Sequence, residues 1–133
     1  MHFTKAMYTA LLALVPLISA HTMQYGQFTT SDGVSQKIGW ISDTDVCTQL
    51  VPVLAEGGQN ACDVPFTFSG RAPGYTFYFK NCDQSGTPQA LQYTANGGST
   101  NQVQGNGFSE GISCKHNQQF TQGTLGNQFS LPF

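Results

Sequence analysis

The stretch ACDVPFTFSGRAPGYTFYFKNC, residues 61–82, decides the fold. Apolar side chains recur at every second position in VPFTFS (64–69) and again in YTFYFK (75–80), and GRAPG (70–74) lies between them. Period-two alternation marks a half-buried strand, and glycine allows the positive φ that a tight reversal needs. The stretch therefore reads as an aromatic hairpin. Phe66 and Phe68 share a face with Tyr75, Phe77 and Phe79 only if paired residue numbers sum to an odd value, as in Phe66–Phe79 and Phe68–Phe77. A slip of one residue would send one aromatic row to the opposite face.

The same parity bears on the cysteines, which are Cys47, Cys62, Cys82 and Cys114. Cys62 and Cys82 both carry even numbers, so the hairpin register puts them on opposite faces and disfavours a bridge between them. The gaps of 14, 19 and 31 residues hold no CxxC pair and no clustered histidines, which argues for two disulfides rather than a zinc site. Two pairings remain, 47–62 with 82–114 and 47–82 with 62–114, and the first is preferred.

Outward from the hairpin, short alternating segments continue through the chain. They are Gln24–Thr29, Lys37–Ile41, Gln49–Leu54, Leu91–Ala95, Val103–Gln104, Phe108–Cys114 and Gln128–Phe133. Turn-forming clusters separate them: SDG at 31–33, EGGQN at 56–60, DQSG at 83–86, ANGGS at 95–99 and GNG at 105–107. A spacing of about ten residues between strands predicts an all-β fold, a small antiparallel β-sandwich or barrel stapled by two disulfides. Asp43 or Asp45 could cap a short helix through Val46, Cys47, Leu50 and Leu54, but Pro52 would interrupt it. An edge strand or a single helical turn fits that segment better.

Residues 1–20, MHFTKAMYTALLALVPLISA, read as a secretory signal peptide. Lys5 gives the positive start, Met7–Ile18 the apolar stretch, and Ser19-Ala20 the small residues for cleavage. The apolar stretch is too short to span a bilayer, and Pro16 lies inside it. Residues 21–133 then form a single β domain, with no internal repeat and no interdomain linker. The 133-residue chain has only 5 Lys+Arg against 7 Asp+Glu, and the basic residues left after cleavage are Lys37, Arg71, Lys80 and Lys115. That balance excludes a basic nucleic-acid surface and a polybasic membrane arm.

The sequence carries no GxSxG, HExxH, P-loop or EF-hand pattern and no N-x-S/T sequon. Three constellations deserve weighing. Cleavage after Ala20 would make His21 the N-terminus, and its amine and imidazole, with His116 as a third nitrogen, would suit Cu(II). This resembles the copper site of lytic polysaccharide monooxygenases in that one terminal residue. A nuclease would need His116, Glu110 or Glu56 as base and Arg71 as phosphate clamp, but no spacing brings these together and the acidic charge repels RNA. The third is a sugar-binding surface, for which Trp40, Tyr25, Tyr78 and Tyr93 have Gln24, Gln92 and Asn96 for company. Tyr78 is the best candidate for display because it alternates away from Phe77 and Phe79.

A leader peptide, a small mature domain and cysteines bracketing the 61–82 hairpin together resemble the broad class of small secreted cysteine-containing proteins of fungi, many of them candidate effectors. The low cysteine count departs from hydrophobins. The absence of catalytic motifs and the leader peptide predict a non-enzymatic protein that needs no cofactor and works through surface contacts in the extracellular space, and the resemblance bears on what it meets there. Its partner would be a host protein or a cell-wall component, and loops 55–63, 70–74, 83–89 and 95–102 would carry specificity. A small carbohydrate-binding module is the alternative, and a copper site at His21 the third reading.

Overall fold

The computed structural model describes residues 21–68 and 70–133; the expected signal peptide at 1–20 lies outside the described residues. Among the described residues the fold is all-β, with eight strands: β1 (Thr22–Thr30), β2 (Ser35–Ile41), β3 (Val53–Glu56), β4 (Tyr75–Lys80), β5 (Ala90–Ala95), β6 (Thr100–Gln104), β7 (Glu110–Ser113) and β8 (Phe120–Ser130). They build two antiparallel sheets, one of five strands ordered β3-β2-β1-β8-β7 and one of three ordered β4-β5-β6. The predicted antiparallel β architecture with two disulfides is what forms.

Alternation along β1 and β2 sends side chains to two different cores. On one face, Met23, Tyr25 and Ile41 pack with Phe66, Phe77, Phe79, Leu91, Tyr93 and Phe129, so the first core lies between the sheets. Aromatic rings dominate it, with Tyr25 edge-on to Phe79 at 5.4 Å and Phe79 against Phe129 at 5.5 Å. On the other face, Phe28, Ile38 and Trp40 form a second core with Phe120 and Leu125. Among the described residues no third sheet covers this face. The segment 44–52 does so instead, laying Val46, Cys47 and Val51 over the rings. Asp45 starts one helical turn there, with Gln49 N bonded to its carbonyl at 2.9 Å and Cys47 N to its carboxylate at 3.0 Å.

Three segments differ from the sequence expectation, and the first is Gln49–Leu54, which is in a strand only from Val53, where β3 begins. Residues 64–68, VPFTF, do not form a strand: Phe66 forms an isolated bridge with Phe77, and the two backbones exchange hydrogen bonds of 2.9 Å. The pair sums to an odd number as expected, two residues away from the predicted register. β8 begins at Phe120, eight residues before the segment expected at its end. Its run of Gln, Gly and Thr hides a strand because a glycine is required inside it. A Cβ at Gly123 would lie 2.2–2.6 Å from the Phe28 ring, so the second core occupies the space of a side chain.

Both expected disulfide pairings are incorrect: the bonds are Cys47–Cys114 and Cys62–Cys82. The parity argument against Cys62–Cys82 holds only while both chains stay extended, and neither does. Asp63 and Asn81 take positive φ of 67° and 57°, and Cys62 meets Phe79 in a parallel bridge although Phe66 meets Phe77 antiparallel. The chain turns between these two contacts, and the turn brings the sulfurs together. Cys47–Cys114 pins the cover segment to the end of β7. Gln119 reinforces it by donating from its amide to the carbonyls of Val46 and Gln49.

Candidate binding face

The three-stranded sheet has one face in the first core and one in solvent. Register places the residues: Phe77 pairs with Tyr93, and Phe79 with Leu91, on the inner face. Between them Tyr78 pairs with Gln92, which pairs with Gln102, while Thr76 pairs with Thr94 and Thr94 with Thr100. The outer face therefore carries a Tyr-Gln-Gln row beside a Thr-Thr-Thr row. At about 3.4 Å per residue and about 4.8 Å between strands, the rows lie roughly 7 Å apart and each spans roughly 10 Å.

Tyr78 is half-buried, as are Thr76, Gln92 and Thr94, while Thr100 and Gln102 are exposed. A shallow groove of about 720 Å³ runs over this surface toward the β5–β6 turn, touching Phe68, Tyr78, Gln92, Thr94 and Asn96. The threonine hydroxyls of residues 94 and 100 are 2.9 Å apart and bond to each other. Lys80 supplies the charge at the margin of the face, and its Nζ donates to Asp63 at 2.6 Å. Beneath Tyr78, Phe77 and Phe79 are completely buried, so the strand that bears it is anchored from below.

The other candidate residues fall elsewhere. Trp40 is 2% exposed and Tyr93 7% exposed. Both expectations of a displayed aromatic are corrected by the packing: Trp40 is edge-on to Phe28 under the 44–52 cover, and Tyr93 faces the inter-sheet core. Tyr25 is buried as well. Arg71 forms an ion pair with Asp43, whose carboxyl the guanidinium hydrogen bond holds below the ordinary carboxylate range.

The topology also separates the two histidines. His21 precedes Thr22, which pairs with Ser130 at the end of β8; His116 lies in the β7–β8 turn, ahead of Phe120, which pairs with Thr30. The length of β1, roughly 27 Å, lies between those ends. His116 is therefore not the third nitrogen of a copper site with His21, and His21 N and Nδ1 both contact Phe133 O, at 2.9 and 2.7 Å. Among the described residues no three His, Cys, Asp or Glu side chains cluster as metal ligands. The nuclease set is also dispersed. Ser42 bonds Thr22, which puts Asp43 and Arg71 at the His21 end, whereas Glu56 pairs with Gln36 near the opposite end.

The 83–89 loop beside the sheet is rigidly built. Asp83 Oδ1 accepts from Ser85 Oγ at 2.7 Å, Ser85 N at 2.9 Å and Thr87 N at 3.0 Å. The Ser85 hydroxyl first, then the backbone donors, hold the Asp83 carboxyl below its usual range. Burial, with the Asp83 charge adding to it, pushes the Tyr25 phenol up to about 12. Sequence reasoning missed the Thr76, Thr94, Thr100 and Gln102 positions of the outer face, since only strand register shows that they join Tyr78. Comparison with family models, with curated proteins and with solved structures finds no match to this chain.

Proposed function

We propose that the chain is a secreted, non-enzymatic binding domain acting in the extracellular space, effector-like, on a host protein or cell-wall component. The observation that carries this reading is the outer face of β4, β5 and β6, a surface whose cation, Lys80, is paired with Asp63 and which presents a half-buried tyrosine among amides and hydroxyls. Such a face offers contacts but no acid–base pair. The two disulfides suit an oxidising compartment, and among the described residues no helix is long and apolar enough to cross a membrane. Residues 1–20 supply the export signal in this reading, leaving His21 as the first residue.

The test begins with the complete sequence expressed in a secreting yeast. The protein should accumulate in the medium with His21 at its N-terminus. It should then sediment with intact cell-wall preparations, and Tyr78→Ala should reduce that binding while the fold is kept. Retention of the protein inside the cell, or wall binding indifferent to Tyr78, would refute the proposal.

A further inference from the structure

We infer that the Tyr78 face recognises a neutral polysaccharide, with the Tyr78 ring as stacking platform and the amides of Gln92 and Gln102 as hydroxyl partners. This inference rests on the reading of that face as the contact surface. A sugar ring has two recognition elements, a patch of C–H groups on its face and a rim of hydroxyls that both donate and accept. An aromatic ring covers the first. A primary amide matches the second, because it offers two donors and an acceptor from one side chain. The row Tyr78–Gln92–Gln102 places one such ring and two such amides side by side across three strands. Gln92 and Gln102 have no side-chain partner among the described residues, whereas Thr94 and Thr100 engage each other. The amides are therefore available to a ligand.

Charge selects the ligand class. The outer positions of the three strands carry one cation, Lys80, and it is neutralised by Asp63 at 2.6 Å. The whole chain has a formal charge of −2. A polyanion would meet no free cation on this face and a repulsive field around it. A protein partner is also a poorer match, since protein hot spots need desolvated apolar or arginine anchors, and this face has a single half-buried tyrosine. The groove over β4 and β5 is open and shallow, as a polysaccharide lying on the surface requires, instead of being closed around one small molecule, and Gln102 lies beside it on β6. The platform is also pre-positioned. Tyr78 sits on a strand whose inward neighbours Phe77 and Phe79 are fully buried, so little ordering accompanies binding.

The experiment uses the protein secreted from residues 1–133, tested with an acidic-polysaccharide resin as control and for retention on insoluble chitin, β-glucan and cellulose. Retention on at least one of them is expected, and it should not weaken as salt is raised, because no ion pair forms. Tyr78→Ala should lower affinity about tenfold or more, the scale of a lost stacking contact. Tyr78→Phe should keep most of the affinity, and Gln92→Ala should lose an intermediate amount. A cooperative thermal melt at the parent temperature reports that each variant is folded. Binding unchanged in folded Tyr78→Ala would overturn the site. Retention only on an acidic polysaccharide, lost in salt, would overturn the neutral class. Clean flow-through on all purified glycans, while intact walls still bind through Tyr78, would overturn the glycan inference and leave the binding-domain reading standing. Failure on intact walls as well would remove the glycan inference together with the cell-wall partner of the binding-domain reading.

Discussion

Removing the Cys47–Cys114 bond should cost more than removing Cys62–Cys82, and only the first loss should uncover the tryptophan. The bonds close loops of 67 and 20 residues. Loop-closure entropy in the unfolded chain then gives about 4.4 kcal/mol for the longer and about 3.3 kcal/mol for the shorter. Either is a large share of the roughly 5–15 kcal/mol that holds a domain together. The native-state consequences also differ. Cys47–Cys114 fastens the 44–52 segment over Phe28, Ile38 and Trp40, and after its loss the Gln119 hydrogen bonds to Val46 and Gln49 are the cover's remaining polar tie to the β7–β8 turn. Trp40 is the chain's single tryptophan, so its emission reports on this cover alone. Paired Cys47→Ala/Cys114→Ala and Cys62→Ala/Cys82→Ala proteins would be compared by denaturant unfolding and by quenching of tryptophan fluorescence. The first should unfold at lower denaturant, with red-shifted and more quenchable emission before unfolding begins. The second should lose stability with native emission retained. Equal quenching in both, or a larger loss from Cys62–Cys82, would refute the assignment of the cover to the longer bridge.

Other perturbations test the remaining packing. Gly123→Ala should destabilise the domain by about 1–3 kcal/mol, because its Cβ would enter the Phe28 ring, and adding Phe28→Leu should recover part of the loss in thermal melts. Spectrophotometric titration should show a phenol ionising near pH 12 that Tyr25→Phe removes. Its folded pKa is raised from 10.0 to about 12, so the stability tied to its neutral form is complete below pH 10 and is lost as pH rises between those values. Asp83 has the opposite sign: its lowered pKa contributes above the ordinary carboxylate range and is lost as pH falls through the folded value. Amide exchange at Ser85 and Thr87 should therefore be faster in Asp83→Ala than in the parent near neutrality. The difference should close in acid.

The alternation that made β4 and β5 legible is local, since each buries one row of large side chains and the period shows in the sequence, whereas β1 and β2 feed a core on each face and show as short apolar-rich segments between turn clusters. Tyr78 stood out for the same reason, as the aromatic out of phase with Phe77 and Phe79. The partners of Tyr78 were legible only in part. Gln92 was singled out from its chain neighbours, but Gln102 and the threonine row join the face through pairing across three strands. Trp40 reads as a displayed ring from local pattern alone, because the segment that buries it, 44–52, is not a regular element and its apolar residues show no period.

By itself the sequence determined the all-β class, the places of most turns and the half-buried display of Tyr78. These follow from side-chain period and from residues whose φ preferences act within a few positions. Tertiary structure alone decided the disulfide partners, the burial of Trp40 and Tyr93, and the separation of His21 from His116. Each of these depends on where the chain leaves a strand or which face another segment covers. The positive φ at Asp63 and Asn81 turns opposite-face cysteines toward each other. The glycine at 123 makes room for a ring from β1, ninety-five positions earlier in the chain at Phe28. Contacts so distant along the chain leave no period behind, and only packing in three dimensions selects them.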